Sequence, residues 1–481
     1  MGEERAYAAV DLGAGSGRVI VGRVTGERIE LQEVHRFTHD VRRIDGHERW
    51  DFARIVAEVE RGLALAGRAT GDLLRSVGVD GWGVDHGFLD ERGELLADPI
   101  TYRDARTNGM LERLFERVPR RELYARTGIQ CLPINTSVQL FADVEAGEWP
   151  GAARRLLMVP DLVHRHLCGS DVSEETNAST TQLMGLSATG ARRWDTRLCA
   201  RLGIPSDVLP PHVPAGTVLG RLRPELARRL VLAGLEVVAP GTHDTASAVA
   251  GTPLESGWAF VSSGTWSLVG VETSAPVLTE RACAENVTNE AGVFGTNRLL
   301  KNVMGLWLLE SCRRAWAKRG PVLDHDELQR ALAGRAPLAQ RIDPDDLAFL
   351  NPPDMPAAIA EHLRATGQPP LEGELALSQL VLESLARRYA EIVALLAELT
   401  GTPIRGIHIV GGGSQNDFLN QRTADATGLP IRAGPVEATA LGNLAVQAIA
   451  DGAFGGLDGA RRAITCSYPA RAFGPRSTRS G

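Results

Sequence analysis

Several features that would assign this 481-residue chain to a specialised class are absent from its sequence. Its six cysteines show no CxxC spacing, which argues against a structural zinc site and favours reduced, mostly buried thiols. The first residues lack the apolar stretch of a signal peptide, and no run approaches the length of a membrane span. A formal net charge of −7 gives no electrostatic case for nucleic acid. We therefore expect a cytoplasmic protein with neither nucleic-acid nor membrane partners.

Length and composition are typical of a globular enzyme with more than one domain. The chain is too long for one ordinary hydrophobic core, which favours two or three domains. Hydrophobic residues make up 43% of it and charged residues 23%, as in soluble globular proteins. Strand patterns that alternate with helix patterns predict a mixed α/β sheet.

Two glycine-rich turns, far apart in the chain, have similar surroundings. The first lies between apolar runs at Ala8–Leu12 and Val19–Val21, and the second between Ala259–Val261 and Leu268–Val271. Each pattern predicts a β-hairpin whose turn exposes backbone N–H groups and small hydroxyls, the donors that bind phosphate. There is no Walker A pattern, and the first turn lies between strands instead of opening a helix. This argues against P-loop and Rossmann nucleotide sites.

Two further features favour a phosphate or nucleotide site. Asp11 ends the first predicted strand, where its carboxylate could hold Mg²⁺ directly or through water. Ile407–Val410 is predicted to be a buried strand that runs into Gly411–Gly413, a bare backbone on which a base or ribose could rest. An ordinary strand-to-helix turn is the alternative for that loop. The three glycine-rich loops together favour nucleotide binding.

Asp244 follows the strand predicted over Leu235–Pro240 and precedes small residues that indicate a helix. An aspartate in this position is often only a helix N-cap. In a cleft, however, the same carboxylate is the base that phosphoryl transfer requires to orient and deprotonate a hydroxyl nucleophile. We favour the base, because Asp244 lies near the predicted junction between the domains, where clefts form.

Other polar groups have weaker claims to function. Asp161, His164 and His166 faintly resemble a set of metal ligands, but we expect them to be solvent-exposed residues of a helix. Asp104 could contact a polar substrate, and an ion pair at the surface or between loops is equally favoured.

Apolar residues at helical spacing predict the principal helices. One covers Asp51–Arg68, and a long one covers Glu374–Leu399 and is closed by Gly401. Two more are predicted near Asn416–Thr427 and Glu437–Ala450.

From Val10 to about Ala450 the chain resembles the FGGY carbohydrate kinases. Seven segments, in the family's order, carry the resemblance: Val10–Arg18, Trp82–Asp85, Tyr102–Gly109, His243–Ala248, Ser262–Leu268, Lys301–Leu309 and His408–Gly413. The resemblance implies two α/β, ribonuclease-H-like domains, as in actin and hexokinase, that close a cleft over ATP and sugar. We place a sugar-binding domain with the first phosphate hairpin at 1–246, a nucleotide-binding domain at 247–465 and a disordered tail at 466–481.

The resemblance also implies a role for individual residues. Asp244 matches the catalytic base, and Asp11 is the residue we expect to anchor Mg²⁺. Positions that match the surroundings of ATP are Ala14, Gly15, Ser16, Gly17, Arg18, Thr265, Asn302 and Gly412. Positions that match the substrate site are Gly83, His243, Asp244, Thr245 and Asn302.

Within the family, the resemblance is strongest to the branch that phosphorylates L-rhamnulose at its C1 hydroxyl during L-rhamnose breakdown. Ala14 replaces the threonine usual in the wider family, which also points to this branch and removes one hydroxyl donor. Another ketose or deoxy-sugar, such as L-fuculose or a pentulose, is the nearest alternative. A more distant one is an actin-like or chaperone-like ATPase switch, which needs no sugar base.

Overall fold

The computed structural model describes residues 3–476 and is a mixed α/β protein. The chain forms two compact units, and each is assembled from separate segments. The first unit contains residues 1–253, 272–299 and 438–467, and the second contains 254–271, 300–437 and 468–481.

The strands, in chain order, are β1 (Arg5–Leu12), β2 (Ser16–Thr25), β3 (Arg28–Thr38), β4 (Val41–Ile44), β5 (His47–Trp50), β6 (Leu74–Gly81), β7 (His86–Leu89), β8 (Arg155–Met158), β9 (Ser173–Glu174), β10 (Met184–Leu186), β11 (Arg192–Trp194), β12 (His212–Val213), β13 (Val218–Arg221), β14 (Glu236–Val238), β15 (Trp258–Ser263), β16 (Trp266–Thr273), β17 (Thr288–Ala291), β18 (Asn297–Met304), β19 (Gly406–Val410), β20 (Ile431–Ala433) and β21 (Arg471–Phe473).

The α-helices are α1 (Phe52–Thr70), α2 (Met110–Arg117), α3 (Arg120–Thr127), α4 (Thr136–Ala146), α5 (Val159–Cys168), α6 (Glu175–Ala178), α7 (Thr196–Leu202), α8 (Pro224–Leu230), α9 (Asp244–Ala250), α10 (Glu280–Ala284), α11 (Trp307–Ala317), α12 (His325–Leu332), α13 (Met355–Ala365), α14 (Glu374–Thr400), α15 (Asp417–Thr427), α16 (Ala438–Ala450) and α17 (Leu457–Ser467). None of the helices within residues 3–476 is both long and apolar enough to cross a membrane.

The first unit is built on a six-stranded sheet with the order β13-β14-β6-β1-β2-β3. Strands β1, β6 and β14 are parallel neighbours, so their carboxyl ends meet at one edge of the sheet. Helix α1 packs on β2 and β3, and α16 packs on β1, β6 and α9. Because helices cover both faces, β1 is buried from Ala6 to Leu12.

Local sequence explains α1. Its buried residues include Ile55, Val59, Leu63 and Ala66, which recur at helical spacing and face the sheet. The Asp51 side chain accepts a hydrogen bond from the backbone N–H of Arg54, and this N-cap begins the helix where the sequence predicts it.

Six strands that lie wholly or mainly in the second unit are neighbours in the order β18-β16-β15-β19-β20-β21. Strand β15 pairs antiparallel with β16 and parallel with β19. Both predicted hairpins, β1–β2 and β15–β16, are therefore present, one in each unit.

The division of the chain differs from the expected one. The predicted boundary at 246/247 falls inside α9, and the first unit also contains residues 272–299 and 438–467. The reason is that α16 and α17 return from the end of the chain to pack on β1, β6, β3 and α9. Up to 476, the tail predicted at 466–481 is ordered, since β21 pairs antiparallel with β20. Residues 477–481 lie outside the described residues.

The expectations for the cysteines, Asp161 and His164 are met only in part. The six cysteines are free thiols; Cys131, Cys199 and Cys312 are buried, and the other three are partly or largely exposed.

Asp161 and His164 belong to α5, as predicted, but they are buried and not solvent-exposed. His164 Nε2 accepts the backbone N–H of Val79 at 3.1 Å, so this side chain supports β6. Residues 3–476 contain no group of three or more His, Cys, Asp or Glu side chains placed to hold a metal ion.

Asp104 is a structural residue in this fold. Its carboxylate accepts the backbone N–H groups of Glu48 and Arg106 at 2.8 and 3.0 Å and lies 3.1 Å from His47 Nδ1. Burial would raise the pKa of Asp104, but these hydrogen bonds outweigh it and the pKa is lowered. The contact with His47 agrees with an ion pair between loops, one of the interpretations open from the sequence, and Asp104 is buried in it.

Candidate active site

The turn of the first hairpin has the bare backbone that a phosphate site requires. Gly13 N–H donates to Ser16 O at 3.0 Å, which closes the turn, and Gly15 is exposed, with no atom within 4 Å of the position that a side-chain carbon would take. At Gly17, in contrast, such a carbon would overlap the Phe37 ring. The predicted phosphate-binding stretch from Ala14 to Arg18 therefore lies on this turn and the start of β2.

Asp11 and Arg18 face each other across the hairpin. They occupy paired positions of β1 and β2, and the Arg18 guanidinium forms a close ion pair with the Asp11 carboxylate. Asp11 is buried, with 5% of its surface exposed. A carboxylate that ends a strand beside a glycine-rich turn has the oxygen donors of a magnesium ligand, and here it is paired with Arg18.

A second carboxylate, Asp80 on β6, lies opposite Asp11. The two residues are paired in the parallel register of β1 and β6, and Asp80 is completely buried. Asn443 of α16 donates its side-chain amide to Asp80 Oδ2 at 2.5 Å. Burial raises the pKa of Asp80 well above the usual range, and the charge of Asp11 adds to this effect.

Asp244 is the first residue of α9, and its side chain is 30% exposed. Its Oδ1 atom accepts the Thr245 hydroxyl at 3.0 Å and lies 3.6 Å from His243 Nε2. Burial raises the pKa of Asp244, and the negative charge of Asp11 adds to it, whereas His243 opposes the shift. A carboxylate with a raised pKa and an open face has the proton affinity of a general base.

The backbone around Gly83 closes in on His243. A side-chain carbon at Gly83 would lie 3.1 Å from Thr180 Oγ1 and 3.3 Å from His243 Nε2. The next residue, Val84, has a φ of +70°, a conformation that is strained for a β-branched residue. Asp85 stabilises the loop, because its buried carboxylate accepts the indole N–H groups of two tryptophans, Trp50 and Trp82, at 2.7 and 2.9 Å.

Of the predicted residues in the first unit, the structure brings together Gly83, His243, Asp244 and Thr245. It adds four charged or polar groups that the sequence analysis did not select: Asp80, Glu174, Glu290 and Arg298. A charged residue inside an apolar strand, such as Asp80 after Val77–Val79, is a signal that could have identified the first of them. The partners of Glu290 and Arg298 are too distant in sequence to be inferred from a local pattern.

Glu174 supports the loop that presents His243. Its Oε2 atom accepts the N–H and hydroxyl of Thr242, both at 2.9 Å, and the Thr176 hydroxyl at 2.5 Å. Burial raises the pKa of Glu174 to about 7, although these hydrogen bonds act in the opposite direction.

In the second unit, two glycine-rich loops lie at the carboxyl ends of the parallel strands β15 and β19. A side-chain carbon at Gly413 would overlap Ser263 Oγ, and one at Gly411 would lie 2.8 Å from Ser263 O. The turn of the β15–β16 hairpin also contacts the start of α11, since Trp307 N–H donates to Thr265 O at 3.1 Å. The structure thus brings Thr265 and the loop around Gly412 together.

Gly412 has no atom within 4 Å of an added side-chain carbon, so its backbone is bare, as expected for a surface that receives a ligand. Asn302 is half-buried on β18, which is a neighbour of β16 in the sheet. The three residues predicted to bind the nucleotide in this part of the chain, Thr265, Asn302 and Gly412, therefore all belong to the second unit.

Comparison with known proteins agrees with this architecture. Residues 6–251 match the profile of the N-terminal domain, and residues 259–450 that of the C-terminal domain, of the FGGY family of carbohydrate kinases. The chain is 42% identical over 474 residues to the rhamnulokinase of Pectobacterium carotovorum subsp. carotovorum (strain PC1), covering 98% of this chain and 93% of that protein. It is 40% identical to the rhamnulokinase of Bacteroides thetaiotaomicron, covering 98% and 96%.

Solved structures share the fold at low sequence identity. The xylulose kinase of Lactobacillus acidophilus superposes with a TM-score of 0.78 at 15% identity, covering 98% of this chain and 94% of that one. The glycerol kinase of Plasmodium falciparum, solved with ADP, gives 0.77 at 16% identity, covering 99% and 95%. The chain belongs to the FGGY family of carbohydrate kinases.

Proposed function

We propose that the enzyme transfers the γ-phosphoryl group of ATP to the C1 hydroxyl of L-rhamnulose, giving L-rhamnulose 1-phosphate and ADP. The observation that carries the reaction is Asp244, a partly exposed carboxylate that Thr245 and His243 hold in place and whose pKa is raised. The sugar follows from the relatives named rhamnulokinase, which match nearly the whole chain.

In this reaction Asp244 takes the proton of the sugar's O1. The oxygen then forms a bond to the γ-phosphorus as the bond from that phosphorus to the bridging oxygen of ADP breaks. Burial and the neighbouring Asp11 raise the proton affinity of Asp244, which suits this role. Gly83 and His243 would contact the ketose, because Gly83 packs against His243 and His243 Nε2 lies 3.6 Å from Asp244 Oδ1.

The nucleotide is assigned to the loops with bare backbone. The turn from Ala14 to Arg18 would contact phosphates through its N–H groups, with Arg18 as the cation. Thr265, Asn302 and Gly412 would contact the remainder of ATP. Asn302 is also a candidate for the sugar.

Magnesium is assigned to Asp11. The carboxylate at the end of β1 has the oxygen donors that Mg²⁺ prefers, and it would hold the ion directly or through water. The ion would neutralise charge on the phosphates of ATP. Since Arg18 now pairs with Asp11, this assignment requires the arginine to share or release the carboxylate.

A coupled assay of ADP release tests the sugar. With saturating ATP and Mg²⁺, the panel contains L-rhamnulose, L-fuculose, D-xylulose and L-ribulose, plus a reaction without sugar. We expect the highest kcat/KM for L-rhamnulose and a product phosphorylated at C1 by NMR. Indifference to L-rhamnulose would refute the substrate assignment, and ADP release that needs no sugar would favour an ATPase switch.

A further inference from the structure

A buried ion pair stands directly behind His243. Arg298 is completely buried in the first unit, and its Nη2 atom lies 3.1 Å from Glu290 Oε2 and 3.1 Å from His243 Nδ1. Its Nε atom donates to Ala291 O at 2.9 Å, which fixes the plane of the guanidinium. One N–H group on Nη2 is thus directed at His243 Nδ1, whereas Glu290 Oε2 contacts Nη2 as an ion pair without hydrogen-bond geometry.

This contact determines which ring nitrogen of His243 carries the proton. A guanidinium can only donate, so Nδ1 must offer its lone pair to Arg298, and the proton of the neutral ring lies on Nε2. Glu290 Oε2 lies 3.4 Å from Nδ1 and would accept a proton there in the other tautomer, but Arg298 Nη2 is closer to Nδ1, at 3.1 Å, and has hydrogen-bond geometry. Nε2, which then carries the hydrogen, is the nitrogen 3.6 Å from Asp244 Oδ1.

We propose that Glu290 and Arg298 are positioning residues, which hold His243 as the neutral Nε2–H tautomer so that it donates toward Asp244 and the sugar. The inference rests on the proposed function for the role of Asp244, but its statement about His243 does not. Arg298 supplies the donor, and Glu290 keeps the arginine in place and cancels its charge. Neither residue is a catalytic residue, because both act through His243.

The electrostatic surroundings support this arrangement. Burial would raise the pKa of Glu290, but Arg298 and His243 together outweigh it and the pKa is lowered. The other groups that act on the pair are His243, Glu174, Glu272, Arg192 and Asp244. Since a buried pair stabilises little in comparison with apolar side chains, its presence beside His243 suits a role in orientation.

The test compares Arg298→Lys and Glu290→Gln with Arg192→Lys. Lysine keeps the charge at 298 but cannot serve both partners in the fixed geometry of a guanidinium. Arg192 is a matched control, because it is a half-buried arginine of the same unit whose hydrogen bonds go to Gly190, Asn289 and Asn297 instead of His243. The melting temperature and the ADP affinity of each variant are measured to check that it is folded.

Two measurements are made on the full chain. In ¹⁵N-histidine NMR, with His243 identified by its loss in His243→Asn, we expect the Nε2–H tautomer in the native protein and in Arg192→Lys, and a mixture of tautomers in Arg298→Lys and Glu290→Gln. In steady-state assays with L-rhamnulose, we expect kcat to fall about 10- to 100-fold in the two pair variants, as for other residues that orient a functional side chain. The KM for ATP should not change.

An Nδ1–H tautomer in the native protein would overturn the inference whatever the enzyme phosphorylates. It would also be overturned if the pair variants kept the native tautomer and turned over like Arg192→Lys. In contrast, a native protein that shows the expected tautomer but phosphorylates no ketose would refute the proposed function and leave the inference standing.

Discussion

Asp80 and Asp11 are directly paired on the parallel strands β6 and β1, so that a completely buried carboxylate lies beside the one at the first glycine-rich turn. Asn443 of α16 donates to Asp80 at 2.5 Å, and burial with the nearby Asp11 raises the pKa of Asp80. The two adjacent carboxylates therefore differ in environment: Asp11 is ion-paired with Arg18, and burial raises the pKa of Asp80.

Replacing Asp80 with asparagine is expected to stabilise the protein at high pH. Because its folded-state pKa is raised, native Asp80 favours folding at low pH. This contribution is lost as pH rises from the ordinary aspartate pKa to the folded one, at about 1.4 kcal/mol per pH unit. Asp80→Asn has no such loss and keeps an oxygen acceptor for Asn443. Its melting temperature relative to the native protein should therefore increase as the pH is raised above the ordinary aspartate pKa of about 4.

The matched control for this experiment is Asp72→Asn, since it is the same chemical change at an exposed position. Its melting temperature relative to the native protein should change little over the same range. A parallel response of both variants would mean that net charge, and not burial of Asp80, sets the effect.

Asp244→Asn is expected to lower kcat by about 100- to 10,000-fold, the usual contribution of a positioned base. The amide has the same shape and can accept the Thr245 hydroxyl, so the fold and ADP affinity should stay within about twofold of native values. Single-turnover assays and calorimetric titration with ADP measure the two effects. Near-native turnover would mean that another group takes the proton.

Gly83→Ala is expected to weaken binding of the sugar and not of ATP. The added methyl group would lie 3.1 Å from Thr180 Oγ1 and 3.3 Å from His243 Nε2, so these side chains must shift. We expect the KM for the ketose to rise about tenfold or more and the KM for ATP to stay constant. Initial rates with each substrate varied in turn decide this, and a rise in the KM for ATP alone would contradict the assignment of Gly83.

Gly413→Ala, in contrast to Gly83→Ala, is expected to weaken binding of ATP and not of the ketose. Its methyl group would overlap Ser263 Oγ and force the two loops of the second unit apart, at a cost of about 1–3 kcal/mol in stability. We expect a lower melting temperature and a higher KM for ATP, with the KM for the ketose unchanged. Gly412→Ala is the comparison, because its methyl group meets no atom and should leave the melting temperature nearly native.

Local sequence patterns were sufficient to predict many helices and strands. Helix α1 begins after Asp51 as predicted, and α14 ends at Thr400, one residue beyond the predicted end. The two glycine-rich turns are hairpins because apolar runs flank small residues with no helical spacing. These features depend on residues close together in the chain, and periodicity reports them directly.

The division of the chain into two units could not be predicted from local sequence patterns. Residues 438–467 return to the first unit because α16 packs on β1, β6 and α9, and no composition change marks that return. The tail was expected to be disordered because it is rich in small and polar residues, yet Arg471–Phe473 form a strand because β20 offers a free edge.

The motifs of the sequence therefore determine the family, the two phosphate-type turns and the candidacy of Asp11, His243 and Asp244. The state of these groups depends on contacts across long sequence separations. Register between β1 and β6 places Asp80 beside Asp11, and the strand that contains Arg298 returns to His243. A carboxyl or imidazole group takes its proton affinity and tautomer from burial and neighbours, which exist only once the chain has folded.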